Sequence, residues 1–367
     1  MLQATETESA PGDTNRDGII LVVIPRIGRR IRPKPSAARQ SVTAPRLLTY
    51  QWLSRQPLLL RYGSPIGDDE ATVEALYQSL PHERVHHLVT YCWHYTGQQI
   101  AQHDSYVRSV RPEHVLPHLV NEVQVLHDLR ELGIPATFVH QNAFLDERRV
   151  TIDTSVAKTF DAVYVARMNP FKRHGLASEV RRLLIVGGVQ SRTDSPRYLH
   201  QLRQQLPHAT LAYNRPRGRL PLEQVVALIN SARVGLCLSQ REGAMFAAGE
   251  YLLCGLPVVS TKSLGGRAEW LDGPHCRVTD DDPQAIREAV DELVSIKSDP
   301  TEIRQSAVAR ACLHRARFID LVQRIFDEER AERDFAREWY PTLFHTFERW
   351  RPANDVMNHL ADDTRTS

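Results

Sequence analysis

Two carboxylates stand eight positions apart in the stretch SQREGAMFAAGEYLLCG, Ser239 to Gly255. Glu242 falls in a glycine-containing loop and Glu250 inside a helix of small and apolar residues. An unpaired charge at such a helix position is costly, so Glu250 needs a partner to justify it. Between the two, Gly243, Ala244, Met245 and Phe246 occupy the turn into the helix. The first amides of a helix have no partner within it, and together with the helix dipole they favour an anion such as a phosphate. A strand, VGLCLS, runs into this loop, which places it at the carboxyl end of that strand, where open parallel sheets bind ligands.

The surrounding elements must hold that loop. DAVYVARM and LLIVGG read as buried strands, and LEQVVALINSA as a helix. MFAAGEYLLCG reads as a helix stopped by Gly255, and LPVVST as the next strand. DPQAIREAVDELVS is an amphipathic helix opened by Asp282 and Pro283. The first half shows the same alternation. RVHHLVTYCW, HVLPHLVN and IPATFVH read as strands, with a helix carrying Val123, Leu126, Leu129 and Leu132 at helical spacing before Gly133. Alternating strands and helices with short joints point to parallel sheets with crossover helices. The expected fold class is therefore α/β, two Rossmann-like doubly wound domains with C-terminal helices.

At 367 residues the chain suits two domains. Residues 1–17 are expected to be a disordered tail, 18–158 one domain and 159–335 the second. Residues 336–367 are expected to be a helix packing back on the first domain, and a tail. GIILVVIP, Gly18 to Pro25, reads as a strand, and Thr301 to His359 as nearly all helix. The basic segment Arg26 to Arg46 reads either as a solvated loop or as an anion contact.

The composition, 42% hydrophobic and 25% charged, is that of a globular protein. A balance of 46 basic and 44 acidic residues gives no support to nucleic-acid binding. Five cysteines without C-x-x-C spacing read as reduced thiols with no zinc site. No signal peptide or spanning stretch is seen, so a cytoplasmic protein is expected, with any membrane contact peripheral.

One further pattern gives these pieces a context. Glu-x7-Glu followed by G-x-P-V-V-S-T resembles the donor-site signature of retaining GT-B glycosyltransferases of the GT4 type. SLGGRAEW resembles that family's following Gly-Gly-x-x-Glu loop, and VARMNPFK its Arg-x4-Lys, at Arg167 and Lys172. The resemblance covers Asp161 to Trp270 well, and more loosely HVLPHLVN to DERRV. It implies two domains facing across a cleft, with the acceptor bound by the first and a nucleotide-diphosphate sugar by the second. Arg167 and Lys172 would grip the diphosphate. Glu250 would accept both ribose hydroxyls, and Glu242 would hold hydroxyls of a hexose-type sugar. Gly243 to Phe246 would supply amides, Ser239 a hydroxyl, and Gly188 of LLIVGG a further donor-site contact. No cofactor and no metal are implied, and transfer would proceed with retention. The acceptor would be a glycan, a lipid-linked glycan or a small molecule, with bacterial surface polysaccharide or glycoconjugate synthesis as the setting.

The family's glycine-rich loop after its first strand is replaced here by PRIGRRIRP, with Gly28 alone. The family also carries a histidine near the reacting sugar. Here the candidates are His86, His87 and His94, of which His94, between Trp93 and Tyr95, is preferred; a structural histidine is the competing reading. Two rival functions stand beside the transferase: a nucleotide-sugar epimerase or phosphorylase on the same fold, and a non-catalytic nucleotide-sugar-binding homologue.

Overall fold

The computed structural model describes residues 49–64, 66, 84–188, 196–212, 220–271, 273–339 and 351–352. The expected tail 1–17, the strand Gly18 to Pro25 and the basic segment Arg26 to Arg46 lie outside the described residues.

The first sheet holds β1 (Thr49–Ser54), β2 (Leu58–Gly63), β3 (Val85–Thr90), β4 (His118–Val120) and β5 (Ala136–Phe138). Two helices, α1 (Gly97–Val110) and α2 (Val123–Glu131), connect the later strands. Thr96 and Gln99 form a capping box that starts α1. β2 to β5 are parallel. β1 departs from the expected parallel arrangement and pairs antiparallel with β2. The reason is the connection: Arg55 to Pro57 is a tight turn, and a parallel return needs a crossover of a dozen residues or more.

The second sheet holds β6 (Phe160–Val165), β7 (Leu183–Val186), β8 (Thr210–Ala212), β9 (Ala232–Cys237), β10 (Val258–Thr261) and β11 (Cys276–Thr279). All its pairings are parallel, in the order β11-β10-β9-β6-β7-β8. Its helices are α3 (Pro196–Gln205), α4 (Leu222–Asn230), α5 (Phe246–Leu253), α6 (Arg267–Trp270) and α7 (Pro283–Ile296). Asp282 caps α7 by accepting from the Ala285 amide, with Pro283 in the first turn, as the sequence suggests. Gly235 is required where it stands: a Cβ there would lie 2.2 Å from the Tyr251 ring. That close approach lets the Tyr251 hydroxyl accept from the Val165 amide and brace the end of β6.

The long helix α8 (Pro300–Glu328) ties the two sheets together. Its first turns, with Ile303, Ala307 and Ala311, join the core of the second sheet. Its last turns, with Phe318, Val322 and Phe326, pack on Leu59, Leu88 and Leu119 of the first. The return to the first sheet therefore begins inside α8 rather than at residue 336. Midway, buried Arg315 donates to the Ala143 and Leu145 carbonyls and forks onto Glu147. That anchors the segment between the sheets, because each of these buried acceptors needs a donor. A short helix, α9 (Phe335–Glu338), buries Phe335 against α8. Among the described residues of the tail one short strand joins the helices expected there. Arg351–Pro352 forms β12, antiparallel to β1 at the edge of the sheet, a place where a proline is tolerated. Among the described residues no helix is long and apolar enough to cross a membrane.

Candidate functional site

In the second sheet β6 leads on one side to β7 and β8, while β9 and β10 lie on the other. The strand order thus reverses between β6 and β9. Beyond the carboxyl ends of that pair lies the crevice where open α/β sheets take ligands. The segment after β6 carries Arg167, then a single 3-10 turn, Pro170–Lys172, capped by the Asn169 side chain. The segment after β9 carries Ser239 and Glu242. Strand topology alone therefore juxtaposes residues some seventy positions apart in the chain.

Lys172 and Glu242 form an ion pair there, and both side chains are nearly buried. The Tyr164 hydroxyl donates to the Lys172 carbonyl at 2.6 Å, so β6 itself fixes the turn that carries the lysine. Ser239 Oγ donates to Glu242 Oε1, also at 2.6 Å. Behind them sits Arg267, fully buried, whose Nη1 donates to the Ser239 carbonyl and to Ser239 Oγ, and whose Nη2 donates to the Thr261 carbonyl. Arg173 occupies a left-handed turn at φ 52° and faces away, donating to the Leu238 carbonyl, Thr261 Oγ1 and Asp281. It ties strand ends together and leaves the crevice to Lys172.

The turn into α5 is held from the first domain. Asn142 Nδ2 donates to the carbonyls of Ala244 and Met245, at 3.1 and 3.4 Å. In a trans peptide the amide that follows a carbonyl points the opposite way, so the amides of Met245 and Phe246 face away from Asn142. Met245 adopts φ 51° as the N-cap of α5, and no side chain caps the helix. The Ala248 amide donates to the Met245 carbonyl, while the amides of Met245 and Phe246 keep the unpaired character that favours an anion. Glu250 follows one turn later on α5. Burial pushes its carboxyl up to about 7, and no described residue bonds its side chain. Gly188 ends the β7 segment, with its carbonyl accepting from the Met168 amide close to Arg167.

The opposite wall comes from the loop after β3. The Trp93 ring meets Phe171 edge to face at 5.4 Å, across the two domains. His94 Nδ1 lies 2.8 Å from Glu122 Oε1 at the start of α2, and burial raises the Glu122 carboxyl. The His94 side chain stands against Gly265, whose φ of +108° only glycine adopts readily and whose missing side chain makes room for the Glu242 carbonyl. Glu269 of α6 accepts from the Val123 amide at the start of α2, so this motif glutamate joins the domains. His86 and His87 are buried in β3, bonded to Glu329 and His114, and are not at the crevice. His140 accepts from the Asn142 amide, sits 2.9 Å from the Gly266 carbonyl and stacks on Trp270 at 4.7 Å, a role in the joint between domains.

Gly243 closes the seam: a Cβ there would stand 2.6 Å from the Cys92 carbonyl oxygen. Gly243→Ala should push the domains apart locally at a cost of about 1–3 kcal/mol. A lowered melting temperature together with a crevice more open by small-angle scattering is the expected result; an unchanged melting temperature contradicts it.

By sequence, residues 162–295 match the family Glycosyl transferases group 1. That stretch spans most of the second sheet and its helices. No sequence match was found among curated proteins. By structure, the chain is similar to a glycosyltransferase from Rickettsia africae, with a TM-score of 0.50 and 11% identity over 73% of this chain and 84% of that one. It is also similar to HepE of Anabaena in complex with UDP (TM-score 0.49, 14% identity, 70% and 81% covered). A third is sucrose-phosphate synthase from Thermosynechococcus elongatus (TM-score 0.49, 17% identity, 70% and 71% covered). The two α/β units facing across a crevice are the fold shared with the Rickettsia africae structure. Within the matched residues, Lys172 and Ser239 both bond Glu242, and Gly243 to Phe246 frame the helix start beside them. Arg167, Gly188 and Glu250 lie on the neighbouring strand ends and helix, and His94 faces the trio from the other domain. Sequence reading missed Arg267 and Asn142 as members of the site. Arg267 lies inside the matched residues, in SLGGRAEW, and Asn142 ahead of them, in NAFLDE; the signal of both is contact across the fold and not spacing along the chain.

Proposed function

We propose that this protein transfers a hexose-type sugar from a nucleotide-diphosphate sugar to an acceptor hydroxyl, with retention of the anomeric configuration. The observation that carries the reading is the meeting of a buried cation, a buried carboxylate and an uncapped helix start at the point where the strand order reverses. The diphosphate lies between Arg167, Lys172 and the amides of Met245 and Phe246. The ribose hydroxyls donate to Glu250, and sugar hydroxyls to Glu242. As the bond from the anomeric carbon to the phosphate oxygen breaks, charge gathers on that oxygen. Fixed cations and amides stabilise it without reorganising, so the reaction as proposed calls on no metal. The acceptor hydroxyl arrives from the side of Trp93 and His94, and its proton passes to the departing phosphate. The acceptor is a glycan, a lipid-linked glycan or a small molecule, and the setting a cytoplasmic pathway of surface polysaccharide or glycoconjugate synthesis with at most peripheral membrane contact.

A calorimetric panel of nucleoside diphosphates and their sugars tests this. The expected result is tight binding of one nucleotide family and release of free nucleotide once an acceptor is supplied. Binding of none of them contradicts the proposal, and conversion to an epimer without acceptor would put an epimerase in its place.

Glu250 adds a pH signature. A carboxyl raised to about 7 is largely protonated at pH 6, and a diol needs the ionised form to accept both its hydrogens. Nucleotide affinity should rise roughly tenfold from pH 6 to pH 8 and then level off. In Glu250→Gln the affinity should be lower by about tenfold at pH 8 and flat with pH. A parent protein with no pH dependence across this range removes Glu250 from the nucleotide site.

A further inference from the structure

We infer that Arg267 is a positioning residue for sugar recognition: it dictates which way the Ser239 hydroxyl points and thereby leaves one oxygen of Glu242 open to a ligand. The inference rests on the proposed donor site and deepens it. An arginine can only donate hydrogen bonds, and so can a lysine ammonium. Arg267 Nη1 donates to Ser239 Oγ at 3.1 Å, so that contact takes a lone pair of the serine and not its proton. The serine proton then goes to Glu242 Oε1, 2.6 Å away. Lys172 donates to the same oxygen. Oε1 is thus satisfied twice from inside the protein. Among the described residues nothing donates to Oε2.

The consequence is a polarity that runs one way, from Arg267 through Ser239 to Glu242. The open oxygen is an acceptor and cannot be supplied with a proton by its neighbours. A group bound there must donate, which selects hydroxyls over carbonyls, ethers and phosphates. Arg267 itself does not reach the crevice: it is wholly buried, and its bonds to the Ser239 and Thr261 carbonyls lock it across the ends of β9 and β10. It acts through the serine. The bare structural alternative is that Arg267 only ties two strand ends together, as Arg173 does nearby.

The two roles separate in a double-mutant cycle on the full chain. Parent, Ser239→Ala, Ser239→Thr, Arg267→Lys and the Ser239→Ala/Arg267→Lys pair are titrated with UDP and UDP-glucose, or with the nucleotide pair from the panel that binds the parent most tightly. Ser239→Ala and Arg267→Lys should each weaken the sugar nucleotide about tenfold while leaving the bare diphosphate within about threefold. Ser239→Thr, which keeps a hydroxyl, should restore sugar binding. The pair should be no weaker than Ser239→Ala alone by more than about threefold, because interacting residues are not additive. Equal loss of both ligands in Arg267→Lys, or full additivity in the pair, overturns the positioning role and leaves the donor site standing. Should Arg267→Lys fail to fold, the contrast between Ser239→Ala and Ser239→Thr decides alone, and equal sugar affinity in the two overturns the inference. A parent that binds no nucleotide sugar defeats the donor site first, and the inference with it.

Discussion

Lys172→Ala should lower kcat by about 10²–10³-fold while changing the donor KM by less than about tenfold, the loss expected when one fixed donor to developing charge is removed. Two separate effects combine. The departing phosphate loses its nearest point charge. In addition, Glu242 is left nearly buried with Ser239 as its one remaining described partner, and an uncompensated buried charge costs several kcal/mol. The variant should therefore melt earlier as well as turn over more slowly. Glu242→Gln separates the two effects. It keeps the cation and removes the buried negative charge, so it should hold the melting temperature better while losing affinity for the sugar. Steady-state kinetics and thermal melts of both variants check this. If Lys172→Ala raised KM tenfold or more and left kcat intact, the lysine would be a ground-state contact and the proposed charge compensation would fail.

Acid should destabilise this protein before most of its carboxylates titrate. Burial holds four histidines far below their ordinary value: His103 and His314 at about 4, His140 and His174 at about 3. His140 and His314 sit in the joint between the domains, His103 beneath the first sheet near His118 and Asp104, and His174 beside Tyr164 and Tyr198. Their folded pKa values are depressed, so the unfolded chain binds the protons. The stability they contribute is complete above about pH 6.5 and is lost as pH falls towards their folded values. Each loses about 1.4 kcal/mol per pH unit in that window. Glu250 works in the opposite sense, because its raised carboxyl is less costly to bury once protonated. Burial lowers His86, His87 and His118 too, and raises Glu122 alongside Glu250, so the histidines outnumber the opposing carboxyls and stability should fall by on the order of a few kcal/mol between pH 7 and pH 5.5, a large share of a typical 5–15 kcal/mol. Urea unfolding at the two pH values measures it. His174→Gln should flatten the dependence; equal stability at both pH values would show that these rings are not held neutral by burial.

The second domain was legible in the sequence because its elements are local. Each strand is a short apolar run bounded by turn residues, and Asp282, Pro283 and Gly255 mark where helices start and stop. The candidate site there was picked out by resemblance: Arg167, Lys172, Ser239 and Glu242 fall directly after two strands, and the strand order brings those two strand ends together. What remained hidden depends on contact rather than on spacing. Nothing in GGRAEW says that Arg267 is buried under Ser239. Nothing in NAFLDE says that Asn142 reaches across to the carbonyls before α5. The first domain was harder to read because its strands β4 and β5 are three residues each, and because β1 runs against the others. The path of α8 was hidden for a further reason: its apolar residues serve two cores in succession, and periodicity cannot say which core a given turn faces.

A crystal structure of the protein with its nucleotide sugar tests the central claim most directly. The account expects the pyrophosphate at the start of α5 within hydrogen-bond reach of Arg167 and Lys172, the ribose diol on Glu250, and a sugar hydroxyl on Glu242 Oε2. A nucleotide sugar bound elsewhere, with the Lys172–Glu242 pair untouched and Glu250 facing no ligand, would contradict it.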